Sequence, residues 1–213
     1  MTTTGGQRDA ASIQHLVGPQ YHQLADAVQA QSPTIADRET LCEGWTVRNV
    51  IAHLTMAARY DGQAFQAELA ATDHDFQTLI DTIARRDGNL PLEQLLGELR
   101  SDTMARWAPP AGGAIGALTH VVIHACDITA AVGLPRTSDD TATSVVLDEL
   151  STGTENPFGI PTAGLRLVAT DLDWSTGTGT GTGTDTGTVV EADAADLVLA
   201  LAGRTRPGVD IAR

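Results

Sequence analysis

Basic side chains are scarce in this chain of 213 residues, which has 13 lysine and arginine residues against 27 aspartate and glutamate residues. The formal net charge is −14. Non-specific binding to nucleic acid or to an anionic membrane surface needs a basic protein surface. We therefore expect neither nucleic acid nor a membrane as a partner.

Aromatic residues are also few, at 4% of the chain, whereas apolar residues as a whole make up 42%. That apolar share is enough for a folded core and excludes global disorder. With so few aromatic rings, the core must be mostly aliphatic and rich in alanine. Such a core suits closely packed helices better than an aromatic-rich β-sandwich, so the composition favours a mostly α-helical protein.

Cysteine is represented only by Cys42 and Cys126, which is too few for a scaffold built on disulfides. The first ten residues, MTTTGGQRDA, contain neither a basic n-region nor an apolar core, so we expect no signal peptide. Both features are typical of a cytoplasmic protein, in which thiols stay reduced. We expect no role for Cys42 and a buried, hydrophobic position for Cys126.

One stretch, residues 114–133, is long and apolar enough to cross a membrane. It also contains His120, His124 and Asp127, and three ionisable groups in the middle of a span would be costly in lipid. We therefore expect a helix that is buried inside a soluble bundle, with its polar groups turned towards an internal site.

The spacing of apolar residues predicts four main helices in the first part of the chain. They cover approximately residues 13–31, 46–71, 91–104 and 114–132, and a further helix is expected from 138 to 150. Thr46 is the expected N-cap of the second helix, and residues 73–86 form either a short helix or an irregular crossover. Short and medium connections between such helices are typical of a four-helix bundle, which we expect over residues 9–150.

The composition changes after about Ser151, where glycine, threonine and proline become frequent. Two strands and a final short helix are predicted, at residues 165–169, 188–191 and 194–202. The Gly-Thr run within residues 175–187 is expected to be an expanded hairpin loop between the strands. Together these features predict a small α+β C-terminal domain over residues 160–213.

The clearest chemical feature is a pair of histidines on the fourth predicted helix. His120 and His124 are four residues apart, so both imidazoles lie on one helix face, about one turn apart. At that separation two imidazoles can bind one metal ion. Asp127 follows near the same face, where it can orient a ligand or act on a substrate. Alternatively, the two histidines are simply polar neighbours, although a buried imidazole needs a partner.

His53 lies in an apolar part of the second predicted helix. A lone histidine in such a place is more often a satisfied core residue than a ligand. Metal sites in helical bundles, however, are built from side chains on facing helices. His53, His120 and His124 together would form a three-histidine site with open coordination positions, which is the pattern of catalytic metal sites.

Several segments carry a family resemblance. Residues 43–54 read EGWTVRNVIAHL, residues 119–128 read THVVIHACDI before Gly-Leu-Pro at 133–135, and residues 165–174 and 201–204 read LRLVATDLDW and LAGR. In this order the segments resemble the mycothiol-dependent maleylpyruvate isomerase family of the DinB-like superfamily. The resemblance implies a mostly α-helical protein, with a DinB-like four-helix bundle followed by a small α+β C-terminal domain.

The same resemblance implies a divalent metal, usually Zn²⁺, bound by His53, His120 and His124, with mycothiol as the thiol cosubstrate. It places Asp127 at an acidic position near the active site. It also places Arg204 at an arginine that the C-terminal domain offers to the substrate. The isomerase has a glutamate where this chain has His120, and a three-histidine set is similar to that of other DinB-like thiol transferases.

We therefore expect a metal-dependent enzyme that activates a low-molecular-weight thiol. The thiol would isomerise a small electrophilic substrate or become attached to it by S-transfer, with Asp127 accepting its proton or positioning a water. An anionic substrate would need Arg48, Arg59 or Arg204, because the overall charge is unfavourable. The alternative is a non-catalytic metal-binding or regulatory bundle, and the sequence is consistent with a monomer or a homodimer.

Overall fold

The computed structural model describes residues 9–176, 188–206, 208, 209 and 211, which form a mostly α-helical protein with one small sheet. The fold class predicted from the sequence is thereby confirmed. In chain order the elements are α1 (Ala10–Gln29), a 3-10 helix (Pro33–Asp37), α2 (Val47–Leu54), α3 (Met56–Arg59), α4 (Gly62–Ala71), α5 (Phe76–Asp87), α6 (Leu92–Leu99), α7 (Asp102–Arg106), α8 (Gly113–Val132), α9 (Asp140–Ser151), β1 (Leu165–Ala169), β2 (Thr188–Ala192) and α10 (Ala194–Leu201).

Helix α8 is the central element of the bundle. It packs against α1, α2, α9 and α10, and half of its residues are buried. Within the described residues it is the one helix that is long and apolar enough to cross a membrane. Its burial by the neighbouring helices identifies it as a core helix, as predicted. Gly133 ends the helix with a positive φ of 77°, a conformation that favours glycine.

Helix α1 packs along α8 and also holds α7 in place. A Cβ atom at Gly18 of α1 would lie only 3.0 Å from the Cβ atom of Ala105, so α7 approaches α1 closely at this glycine. The Gln14 amide donates hydrogen bonds to the carbonyls of Ala105 and Trp107, at 2.9 and 3.2 Å. These contacts fix the position of the chain that leaves α7.

The second predicted helix is shorter than expected. Apolar spacing predicts one helix over residues 46–71, whereas the structure has α2, α3 and α4 there. The break arises because Thr55 Oγ1 and the Arg59 guanidinium group donate to main-chain carbonyls in the last turns of α2. Asp61 then caps α4. The third predicted helix is likewise divided into α6 and α7, because Ser101 caps the second of them.

The N-terminus of α2, the helix that carries His53, is held by a capping box. Oδ1 of Asn49 accepts a hydrogen bond from the backbone N–H of Thr46 at 3.0 Å, in agreement with the predicted cap. The Asn49 amide also donates to the carbonyl of Ala84 in α5, at 3.1 Å. Most of residues 73–86 belong to helix α5, so α2 is anchored to a neighbouring helix rather than to an irregular crossover.

The two strands are parallel, and the prediction of a hairpin was therefore wrong. β1 and β2 pair in register along their full lengths. A hairpin joins antiparallel strands, whereas parallel strands need a long crossover. The other side of β1 is already occupied by the chain that follows it, because Val168 forms an antiparallel bridge with Ser175. Residues 177–187 of the Gly-Thr run lie outside the described residues.

Helix α10 attaches the C-terminal part to the bundle. It packs against α8 and α9, and its apolar side chains belong to the same hydrophobic core as those of the bundle. Gly203 follows the helix with a positive φ of 78° and turns the chain, so that Arg204 comes directly after the turn. The division into domains at 9–150 and 160–213 stays a prediction.

Gly88 tests the packing that supports α2. A Cβ atom here would lie 2.3 Å from the Asn49 amide nitrogen and 2.8 Å from the Ala84 oxygen. We expect Gly88→Ala to displace Asn49 and to lower the free energy of unfolding by about 1–3 kcal/mol, measured by urea denaturation. Gly97→Ala, in the exposed part of α6 with nothing within 4 Å, is the control. It should raise stability by about 0.5–1 kcal/mol, and equal effects of the two substitutions would contradict the prediction.

Candidate metal centre

Three histidine side chains converge between α2 and α8. His53 lies in the last turn of α2, and His120 and His124 lie on the face of α8 that meets it. Their ring centroids are 4.8, 4.9 and 5.0 Å apart, and the rings are nearly perpendicular to one another, at 84–85°. The structure thus brings together the three histidines that the sequence indicates.

The histidine cluster has the form of a metal-binding site. One ring nitrogen of each histidine lies within 4.8 Å of the others, and the Nε2 atoms of His53 and His120 are 2.8 Å apart. Three imidazole donors with room for a further ligand are the arrangement of catalytic zinc sites. All three residues are partly exposed.

Burial keeps two of these imidazoles neutral, which metal binding requires. It lowers the pKa of His53 well below the usual 6.5, and the neighbouring histidines add to the effect. Burial, followed by the proximity of His124, lowers the pKa of His120 to about 3. At neutral pH both rings therefore have a lone pair available for a cation.

Asp127 orients His124 from outside the cluster. Its Oδ2 atom accepts a hydrogen bond from Nδ1 of His124 at 3.0 Å, and the carboxylate is fully buried. This bond uses Nδ1 as the donor, so Nε2 is the nitrogen of His124 that is left for a cation.

Arg204 connects the C-terminal part of the chain to the same carboxylate. Its Nε and Nη2 atoms donate to Oδ1 and Oδ2 of Asp127, at 2.9 and 3.0 Å, as a bidentate pair. Burial alone would raise the pKa of Asp127, but the hydrogen bonds from His124 and Arg204 hold it below the usual 3.8. The Asp127 carboxylate is therefore ionised and surrounded by donors.

Cys42 is part of this arrangement, although the sequence assigns it no role. Its thiol donates to Oδ2 of Asp127 at 3.1 Å, and its Sγ atom lies 3.6 Å from Nδ1 of His124. Burial, and then the charge of Asp127, raise the pKa of this thiol to about 12, so it is protonated at neutral pH. Its place directly before the 43–54 segment is the available sequence signal. Cys126 is buried, as predicted.

Two tryptophan rings contact the histidines from outside. The Trp45 ring lies 5.1 Å from His53 and the Trp107 ring lies 5.5 Å from His120, measured between centroids. Trp45 is buried at the entry to α2, and it also contacts a candidate ligand. Trp107 has no sequence signal, because its place at the site depends on how α7 packs against α1.

The other predicted candidates are engaged elsewhere. Arg48 pairs with Asp37 at 2.9 Å, and Arg59 is held by Asp87 and Glu98. Three arginines are proposed from the sequence to bind an anionic substrate. Among the described residues, Arg204 is the one of these three that contacts the site, through Asp127. The remaining histidines are exposed and lie outside the cluster: His15, His22 and His74.

The ion pair of Asp127 with Arg204 tests how strongly the C-terminal part is coupled to the site. We expect Arg204→Met to lower the free energy of unfolding by about 3–5 kcal/mol, because it removes the counter-charge of a buried carboxylate. Arg206→Met is the control in the same urea titration. Arg206 pairs with the partly exposed Asp196, so its loss should cost no more than about 1 kcal/mol. Similar costs for both variants would refute the coupling.

The chain is similar to known proteins in part of its sequence and in its fold. Residues 17–114, which include His53, match the family model described as "Mycothiol maleylpyruvate isomerase N-terminal domain". The crystal structure of the mycothiol-dependent maleylpyruvate isomerase is similar to this chain with a TM-score of 0.54 and 17% sequence identity. The similarity covers 98% of this chain and 95% of that chain, and it shows a shared fold. No curated protein matches the chain.

Proposed function

We propose that this protein is a metal-dependent enzyme that uses a thiol, because residues 17–114 match the mycothiol maleylpyruvate isomerase N-terminal domain family. A low-molecular-weight thiol of the mycothiol type would isomerise a small electrophilic substrate or be transferred to it. The observation that carries the proposal is the convergence of His53, His120 and His124 at one partly exposed place.

The donor set fits a divalent cation such as Zn²⁺. The three candidate ligand atoms are imidazole nitrogens, and the hydrogen bond from His124 to Asp127 is an outer contact that metal-binding histidines commonly make. When bound, the cation would supply a Lewis acid that favours the thiolate form of an incoming thiol. With His53, His120 and His124 as its protein donors, a bound cation would have a position left for that thiol.

A thiolate formed at this place supports both candidate reactions. It adds to one carbon of an activated double bond, the resulting single bond rotates, and the thiolate leaves again, which isomerises the substrate. If the adduct takes up the proton that the thiol lost and is released instead, the reaction is an S-transfer. Both reactions need the same protein groups, so we propose a thiol-dependent isomerase or transferase.

Asp127 is proposed to position other groups rather than to remove the thiol proton. Its oxygens accept hydrogen bonds from His124, Arg204 and Cys42, and these donors favour the ionised carboxylate. A carboxylate stabilised in this way is a weak base. Asp127 therefore contributes by fixing the orientation of the His124 imidazole on one side and of the Arg204 guanidinium group on the other.

Arg204 is proposed to combine its contact with Asp127 with substrate binding. Its side chain is 26% exposed, so the guanidinium group can also face an anionic substrate near the histidines. A local positive charge matters here because the formal charge of the whole chain is −14, which repels anions.

His120 makes the proposed metal centre more electropositive than a carboxylate would. Three neutral imidazoles preserve the full charge of a bound divalent cation, whereas a glutamate at this position would cancel one unit of it. A more positive centre stabilises an anionic thiolate more strongly. This difference supports thiol activation as the shared step of the proposed isomerase and transferase reactions.

Metal content is the first test of the proposed function. We expect about one divalent ion per chain in the purified protein by elemental analysis, because three nitrogen donors converge at one place. His124→Ala should lose most of this metal, since one donor is removed. His22→Ala is the control, because His22 is exposed on α1. Protein that takes up no metal, even after incubation with Zn²⁺, would overturn the metal-dependent function.

A free coordination position distinguishes the enzyme from a non-catalytic metal-binding bundle. With Co²⁺ as the probe, we expect a low-molecular-weight thiol to produce a new charge-transfer band in the near ultraviolet, because a thiolate joins the three imidazoles. An alcohol of similar size is the control and should produce no such band. Turnover of maleylpyruvate with mycothiol is then measured by product formation. An absorption spectrum that thiol leaves unchanged would support the non-catalytic alternative.

A further inference from the structure

Each of the three histidines has a contact on its outer side, and these contacts are of two kinds. His124 donates from Nδ1 to the Asp127 carboxylate at 3.0 Å. The other two histidines contact aromatic rings instead, those of Trp45 and Trp107, at centroid distances of 5.1 and 5.5 Å. One candidate ligand is thus held by a hydrogen bond, and two are packed against indole rings.

The second ring nitrogens of His53 and His120 have no hydrogen-bond partner. Nδ1 of each ring is buried, and no donor or acceptor in the described residues bonds to it. Metal-binding histidines almost always donate from this nitrogen to a carboxylate, a carbonyl or a water, which fixes the ring. On the Nδ1 side of these two rings, packing takes the place of that hydrogen bond.

Trp45 is itself firmly held. Its indole Nε1–H donates to Oδ1 of Asp81 at 2.8 Å, and Arg85 donates to both oxygens of that carboxylate, at 2.9 and 2.8 Å. The Trp45 residue is only 8% exposed. Because its ring lies at 53° to the His53 imidazole, it limits the rotation of that imidazole from one side.

Trp107 has a comparable place beside His120. Its ring is tilted by 52° to the imidazole, close to the angle of the other pair, and its carbonyl accepts a hydrogen bond from Gln14 of α1. The two tryptophans come from different parts of the chain, one before α2 and one after α7. Two separate contacts of similar geometry therefore lie on the two rings whose Nδ1 atoms lack a hydrogen-bonded partner.

We propose that Trp45 and Trp107 are positioning residues that hold the two adjacent histidines in the orientation that metal binding requires, in place of hydrogen-bonded partners. This inference rests on the proposed function, because it concerns the same site. It also has a consequence for the metal centre. An imidazole without an anionic partner is the weaker donor, so these two ligands leave a bound cation more electrophilic.

Binding of Co²⁺ to the full-length protein tests this inference through its visible absorption. We expect Trp45→Leu to weaken Co²⁺ affinity by about ten-fold or more, the effect of losing an outer partner of a metal ligand. The intensity of the absorption should change as well, because a misoriented ring alters the coordination geometry of the bound Co²⁺. A loss of protein stability alone would leave that intensity per bound ion unchanged. Trp45→Phe keeps an aromatic ring and should recover most of the affinity.

Trp174 provides a matched control. Its indole also donates to an aspartate, Oδ1 of Asp148, at 2.8 Å, the same distance as in the Trp45 pair. Its ring is not among those that contact the three histidines in the described part of the chain. Trp174→Leu should therefore bind Co²⁺ with the affinity and the spectrum of the wild-type protein.

Trp107→Leu keeps the test decisive if Trp45→Leu does not fold, because Trp107 is partly exposed. It should weaken Co²⁺ binding in the same way, and Trp107→Phe should restore it. A folded leucine variant with wild-type affinity and spectrum would overturn the inference and leave the metal site intact. Wild-type protein that does not bind Co²⁺ would instead overturn the proposed function, and this inference with it.

Discussion

The buried carboxylate of Asp127 is the group on which the arrangement of the site depends. A buried ion is tolerated only where opposite charge and hydrogen bonds replace the lost water. Here the replacement comes from three parts of the chain: His124 on the same helix, Cys42 before α2, and Arg204 after α10. The ion pair that compensates this one charge therefore also holds the C-terminal part of the chain against the bundle, beside the histidines.

The site differs electrically from the rest of this acidic chain. The rings of His53 and His120 offer uncharged nitrogen atoms, and the carboxylate beside the cluster is already paired with Arg204. A cation that binds here contacts nitrogen lone pairs, and no unpaired carboxylate of the described residues lies among the three histidines to bind it instead. An anion meets a guanidinium group that is held in a fixed orientation. Both properties suit a centre that combines a metal with a negatively charged sulfur atom.

Much of the fold follows from local patterns, whereas the contacts around the site do not. The apolar run of α8 and Gly133 after it predict this helix closely, and the spacing of its two histidines predicts their shared face. The break after α2 depends on Arg59, whose acidic partners lie far along the chain. Cys42 and Trp107 reach the site only through the packing of distant elements. Spacing along the chain carries no information about such contacts, or about the direction in which β1 and β2 pair.

Asp127 and Arg204 are 77 residues apart, and this separation has a consequence for how the molecule is made. Synthesis proceeds from the N-terminus, so all three histidines are available long before the arginine that compensates the carboxylate. Until that arginine arrives, the carboxylate lacks its counter-charge, and burying it is costly. We therefore expect the final closure of α8 against the loop at Cys42 to be a late event in folding. A metal ion that arrives earlier meets a His124 ring that is still free to turn.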